Sequence, residues 1–155
     1  MVLPDTSQTT TVSVSVSEQA RVAVPAGISF NVTNIGAPTT ASAATVTIDR
    51  VVLASATKQL RLSLQATTAS FTPPSPGATT WTAGDVSWNA AGWTAATGAG
   101  GTLSDSAFTT VATCDPGAAA CSTTGLVFSL ASKAAVQRSG AHTLVVTWKV
   151  ESIGS

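Results

Sequence analysis

Apolar and polar residues alternate with a period of two along most of this chain. In residues 11–17, TVSVSVS, the side chains of Val12, Val14 and Val16 share one face, and Thr and Ser occupy the other. Successive side chains of a strand point to opposite faces, so this alternation predicts a half-buried antiparallel strand. It is the purest alternating segment of the sequence.

Further alternating segments follow between turn signals. They cover residues 22–24, 28–33, 45–53, 59–66, 126–130 and 142–151. In the segment 45–53 the alternation changes phase around Asp49 and Arg50, which predicts a β-bulge or a change of sheet. In the last segment the inward positions are Leu144, Val146, Trp148 and Val150.

Glycine, proline and serine separate these segments. Three prolines in FTPPSPG, residues 71–77, remove three backbone donors, so this stretch is a connector rather than a central strand. The only helix candidate, residues 132–140, is short and weakly patterned. We therefore predict an all-β protein, an Ig-like or Greek-key β-sandwich of about eight or nine strands, with a jelly roll as the alternative. Residues 1–155 form one domain in this prediction, and residues 1–8 are a flexible N-terminal leader.

Charge is scarce in this sequence. Charged residues make up 9% of the chain, and seven basic residues balance seven acidic ones. Because no Lys or Arg cluster is present to neutralise phosphates, we expect no nucleic-acid partner. No run of about 18 apolar residues occurs, so we expect no membrane span. Residues 1–11 lack the basic and apolar regions of a signal peptide, so we expect a mature secreted form whose signal was replaced by a start methionine.

Two cysteines flank the stretch CDPGAAAC. Asp-Pro-Gly favours a turn that brings Cys114 and Cys121 together. Their spacing matches neither a C-x-x-C redox motif nor a zinc site. We predict a disulfide between them, with two free thiols as the alternative. Disulfides persist in oxidising compartments, so we expect a secreted protein, extracellular or on a cell surface.

Groups able to perform catalysis are sparse. His142 is the only histidine, and the alternation places it on the inward face near the start of a strand, where a structural role is the better interpretation. No G-x-S-x-G motif accompanies it, and the acidic residues are scattered. We expect no enzyme activity, no cofactor and no metal.

Three of the four tryptophans lie in WTAGDVSWNAAGW, residues 81–93. Trp88 follows Val86 at a spacing of two and is expected to point inward. Trp81 and Trp93 lie near strand ends, where an aromatic ring could stack on a sugar or close the end of the sandwich. The sequence contains no Tyr, a residue that binding surfaces favour, so the core interpretation is preferred.

The C-terminal run GAHTLVVTWKV resembles the closing strand of WxL domains, the cell-wall-binding β-domains of Gram-positive surface proteins. That strand has a Gly-x-Tyr-type start followed by Thr-Trp-x-Leu, whereas this sequence has His142 at the Tyr position and Val150 at the Leu position. VPAGISF, residues 24–30, is similar to the opening strands of the same domains. In its Thr-, Ser-, Val- and Ala-rich strands the chain is also similar to secreted bacterial pilin-like and coat-type subunits. The resemblance implies an exported β-sandwich that binds cell wall or assembles with itself.

These observations give two functional hypotheses. The first is an exported, non-catalytic structural surface protein that self-associates as a fibre or coat subunit. Residues 9–17 carry no Lys, Asp, Glu or Pro, the residues that protect edge strands from association, so Val12, Val14 and Val16 are the candidates for pairing with another copy. The alternative is a cell-wall or carbohydrate-binding module that uses Trp81 and Trp93.

Overall fold

A computed structural model describes residues 7–155, so residues 1–6 of the predicted leader lie outside the described residues. The protein is nearly all-β, with three antiparallel sheets of four strands, an arrangement consistent with a β-sandwich. The predicted fold class is therefore confirmed. The Ig-like or Greek-key connectivity stays a prediction.

Twelve strands and one short 3₁₀ turn, Ala83–Asp85, make up the regular structure of residues 7–155. The strands are β1 (Gln19–Ala23), β2 (Thr39–Thr40), β3 (Ala44–Val52), β4 (Gln59–Ala66), β5 (Val86–Trp88), β6 (Trp93–Thr94), β7 (Ala96–Gly98), β8 (Gly101–Thr102), β9 (Thr109–Cys114), β10 (Cys121–Leu126), β11 (Phe128–Leu130) and β12 (Val146–Ile153). The first sheet has the order β1-β3-β10-β6, the second β2-β11-β5-β8, and the third β12-β4-β9-β7.

The third sheet is built on β4, which forms where its alternation predicts. Leu60, Leu62 and Leu64 are buried. β4 pairs with β12 over eight residues, from Val146 opposite Ala66 to Ile153 opposite Gln59, and with β9 on its other side. The eight-residue ladder confirms the alternating segment 59–66 as a strand, and it confirms the segment 142–151 from Val146 onward, whereas residues 142–145 lie outside β12.

The first sheet contains the predicted bulge. β3 pairs with β1 through a register shift, and Arg50 adopts a left-handed backbone with φ 52°. Only Val127 separates β10 from β11, so the chain passes there from the first sheet directly into the second. All three sheets contribute to one hydrophobic cluster, whose largest fully buried side chains include Phe128, Ile48, Leu62, Leu64 and Leu126.

Two predicted strands are not formed, and the strand number differs from the expected eight or nine. Residues 11–17 and 28–33 both alternate, yet neither pairs with a described strand. Alternation shows which face of a segment is apolar, but a strand also needs a neighbouring strand with which its backbone exchanges hydrogen bonds. The count rises because the Ala- and Gly-rich stretch 89–102 breaks into short pieces, with left-handed backbone at Ala91 and Ala95.

Candidate functional site

Residues 7–18 form no strand. All of them are exposed, and no hydrogen bond joins their backbone to the backbone of another described residue. The predicted half-buried strand over residues 11–17 is therefore wrong for the chain on its own. The valines of its apolar face are 84% (Val12), 82% (Val14) and 61% (Val16) exposed. Three large apolar side chains are thus exposed within five residues of one segment.

Glu18 fixes the end of this segment to the body of the protein. Its carboxylate accepts a hydrogen bond from the backbone N–H of Ala54 at 2.7 Å, and it pairs with the Lys58 ammonium at 3.1 Å. The hydroxyl of Ser152 in β12 donates to the same carboxylate at 3.3 Å. The Ala54 hydrogen bond, followed by the Lys58 contact, lowers the pKa of Glu18 below its ordinary value. The C-terminal end of the exposed segment is therefore held at a defined point, beside the C-terminal end of β12.

A large apolar cleft lies between the second and third sheets. Its volume is about 1170 Å³. Leu64 and Trp148 of the third sheet line it together with Phe128 and Leu130 of the second. Among the described residues that line it, Arg138 is the only one with a formal charge. Small-molecule pockets usually measure about 300–1,000 Å³, so this cleft exceeds the usual range.

The backbone beside the cleft lacks ladder partners. Residues 25–35 line it, and Ile28, Phe30 and Val32 pack against the hydrophobic cluster. Within the described part of the chain, no backbone hydrogen bond involves residues 25–33. This segment therefore covers the core with its apolar side chains but adds no strand to a sheet. β12 also lines the cleft, and among the described strands it pairs with β4 alone.

The tryptophans mostly belong to the core. Trp81 is only 5% exposed, its indole N–H donates to the Ala131 carbonyl at 3.0 Å, and its ring meets Phe71 edge-on. Trp81 therefore presents no open ring face to a sugar, and the core interpretation applies to it. Trp88 is buried, as predicted, and donates to the Ala99 carbonyl.

Trp93 is half-buried in β6, where it pairs with Thr123 of β10. Its indole nitrogen is buried and has no hydrogen-bond partner. The structure thus separates the environments of Trp81 and Trp93, and the two residues do not form a shared exposed platform.

His142 is held on both ring nitrogens. Nε2 lies 2.9 Å from the Arg138 carbonyl, and Nδ1 lies 2.7 Å from the Thr80 hydroxyl. A carbonyl only accepts, so Nε2 donates to Arg138, and Nδ1 shares a hydrogen bond with the Thr80 hydroxyl. The rings of His142 and Trp81 pack nearly perpendicular, with centroids 5.3 Å apart, so His142 has a structural role. Among residues 7–155, no group of three or more His, Cys, Asp or Glu side chains is arranged to hold a metal ion.

Cys114 and Cys121 form a disulfide, which confirms the predicted pairing. Cys114 ends β9 and Cys121 begins β10, so the bond joins the third sheet to the first. Gly117 in the loop between them has φ 70°, as the turn chemistry requires. A disulfide is compatible with an extracellular protein.

Searches of family models, curated proteins and solved structures found no match to this chain. No helix within residues 7–155 is long and apolar enough to cross a membrane. The candidate functional site therefore consists of two features of the chain itself: the exposed valine segment, residues 9–17, and the apolar cleft. The alternation of residues 9–17 pointed to the first. No signal in the sequence pointed to the cleft, because its walls come from segments far apart along the chain.

Proposed function

We propose that this protein is an exported structural subunit of a fibre or coat, and that its copies associate by strand donation. One copy supplies residues 9–17, and the next copy receives them as an added strand. The observation that carries the proposal is the exposure of Val12, Val14 and Val16, in a segment whose backbone pairs with no other part of residues 7–155. Such a segment exposes both the apolar surface and the hydrogen-bonding groups that a sheet edge would satisfy.

The magnitudes favour a contact that uses side chains and backbone together. Burying Val12, Val14 and Val16 stabilises an assembly by about 1.5–3 kcal/mol each. Association of two proteins costs roughly 4–15 kcal/mol in lost freedom of motion, so at the middle of both ranges the valines alone do not offset the cost of association. Backbone hydrogen bonds along the segment add about 0.5–1.5 kcal/mol each. A strand pairing supplies both contributions, whereas simple apolar clustering supplies only the first.

The donating and receiving surfaces are different parts of the molecule. A contact of this kind is heterologous and forms an open filament when its rotation does not close a ring. The chain has no net formal charge, so neighbouring copies repel one another little. The disulfide between Cys114 and Cys121 supports assembly outside the cell, where such bonds persist.

A pair of matched variants tests the function. The first carries Val12→Thr, Val14→Thr and Val16→Thr, which keeps the β-branched shape of each side chain and replaces one methyl group by a hydroxyl. The control carries Ser13→Thr, Ser15→Thr and Ser17→Thr, the same number of changes on the opposite face. All six positions are exposed, so both variants are expected to retain the fold.

The readouts are size-exclusion chromatography with light scattering and negative-stain electron microscopy at increasing concentration. We expect wild type and the serine-face control to assemble, and the valine-face variant to remain monomeric. Strictly monomeric wild-type protein at high concentration would contradict the proposed function. Assembly of the valine-face variant to the same extent as wild type would contradict the role of these valines.

A further inference from the structure

We propose that the apolar cleft receives residues 9–17 of a second copy, and that the donated segment pairs with the open edge of β12. This inference rests on the proposed function and adds the receiving surface to it. The third sheet would thereby gain a fifth strand, in the order donor-β12-β4-β9-β7. The valines of the donor would enter the cleft.

The length of β12 selects it as the receiving edge. It spans eight residues, Val146–Ile153, and within residues 7–155 only β4 pairs with it. The two edge strands of the second sheet, β2 and β8, have only two residues each. A donor of nine residues needs a long edge to bond to, so β12 is the match.

Existing hydrogen bonds show which backbone groups of β12 are free. The carbonyl of Val145, immediately before β12, accepts from the N–H of Thr67 at 2.9 Å on the β4 side. In an antiparallel strand the N–H and C=O of one residue point to the same side, and the side alternates from residue to residue. The backbone groups of Val146, Trp148 and Val150 therefore point away from β4, toward the open edge.

The side chains of donor and cleft are complementary in polarity. The donor has an apolar residue at every second position, at Val12, Val14 and Val16, and residues 9–17 carry no charge. Val146 and Trp148 line the cleft and are only half-buried, because the space beside them is empty of protein atoms. A strand with one apolar face and one Ser/Thr face would cover these two side chains and leave its hydroxyl groups in solvent.

The donor must come from a second copy rather than from the same chain for the proposal to hold. Glu18 is anchored beside Ser152, so folding back onto the chain's own β12 is the competing arrangement. In the structure residues 9–17 are not folded back onto β12: all of them are exposed, and their backbone pairs with no described residue. In the single chain, residues 9–17 are therefore unpaired, and the cleft is not occupied by them.

Disulfide trapping between two full-length variants tests the pairing. One variant carries a cysteine on the valine face (Val12→Cys, Val14→Cys or Val16→Cys, made separately), and the other carries Val146→Cys. One is labelled with ¹⁵N, the two are mixed under mild oxidation, and the products are read by mass spectrometry. A disulfide needs Cβ atoms about 4 Å apart, so it reports close approach. Each chain has a single added thiol, so a mixed product is intermolecular.

Controls on the opposite faces make the result specific. In one set of controls, Ser13→Cys or Ser15→Cys replaces the valine-face cysteine and is mixed with Val146→Cys. In the other, Thr147→Cys, at an exposed neighbouring position in β12, replaces Val146→Cys and is mixed with the valine-face cysteines. We expect a mixed dimer for at least one valine-face cysteine with Val146→Cys, and little or none with the control positions.

The outcomes separate this inference from the proposed function. Assembly in which the serine-face or Thr147→Cys controls trap as well as the valine-face pair would overturn the β12 slot and leave strand donation standing. Absence of both assembly and trapping would overturn the two together. A double variant, Val14→Cys with Val146→Cys, that closes within one chain at high dilution would show self-filling and would also overturn the inference.

Discussion

Trp148 of β12 meets Phe128 of β11 edge-on, with ring centroids 6.4 Å apart and planes at 88°. The two rings belong to the third and the second sheet, so this contact joins the two sheets across the cleft. Edge-to-face aromatic pairs contribute about 0.5–1.5 kcal/mol beyond the burial of their area. The contact therefore has a structural role, and the open side of Trp148 is part of the proposed receiving surface.

Trp148→Ala is expected to lower the free energy of unfolding by about 3 kcal/mol. This lies at the lower end of the range for removing a large aromatic side chain, because Trp148 is only half-buried. Urea denaturation of the monomer followed by circular dichroism measures it. Val145→Ala, a change at the exposed neighbouring position, is the control and should alter stability by less than about 0.5 kcal/mol. Equal small losses would contradict the placement of Trp148 between the sheets.

Removal of the disulfide is expected to destabilise the monomer measurably. Closing the loop from Cys114 to Cys121 contributes about 2.5 kcal/mol by loop-entropy arithmetic. The paired variant Cys114→Ala with Cys121→Ala should lose about this amount in denaturant melts. Mass spectrometry of alkylated, unreduced wild-type protein gives the direct check. Two alkylated thiols in freshly isolated protein would contradict the bond and would remove the support that it gives to the proposed export.

The Glu18 anchor is expected to depend on pH. Its pKa is lowered below the ordinary 4.5, so the stabilisation from its hydrogen bond to Ala54 and its pair with Lys58 is present above pH 4.5. This stabilisation is lost as the pH falls through the lowered value. The amide signal of Ala54 in NMR spectra should shift with a midpoint below 4.5, and Glu18→Gln should abolish that titration. A midpoint at or above the ordinary value would contradict the anchor.

Alternation predicted the elements whose partners lie in the same chain. Leu60, Leu62 and Leu64 of β4 are buried as the alternation predicts, and the bulge at Arg50 and the disulfide also appear as expected. β12 forms as a strand from Val146, but its burial does not alternate beyond Thr147, because the residues that follow are half-buried on both faces. The alternation of residues 59–66 predicts that Ser63 faces outward, opposite to Leu62 and Leu64, but Ser63 is buried in β4, which is flanked by β12 and β9. A serine in an alternating pattern does not show whether other protein covers its face.

Of the two features of the candidate site, the sequence predicted the valine segment and did not predict the cleft. The residues 9–17 stand out by their alternation and lack of charge, but the same pattern describes a strand within a sheet and a strand without a partner. The cleft depends on how the edge of β12 and residues 25–35 come together in space. Tertiary arrangement of this kind leaves no local signal. The tryptophan cluster, in contrast, suggested a platform from proximity along the chain, whereas the structure buries Trp81.

Amide hydrogen exchange of residues 9–17 tests the central claim most directly. Strand donation predicts fast exchange for these amides in dilute monomer, because they have no backbone partners there. It predicts strong protection in concentrated, assembled protein, together with new protection at Val146, Trp148 and Val150. Assembled protein in which residues 9–17 still exchange as fast as in the monomer would contradict strand donation, and so would equal protection at every concentration.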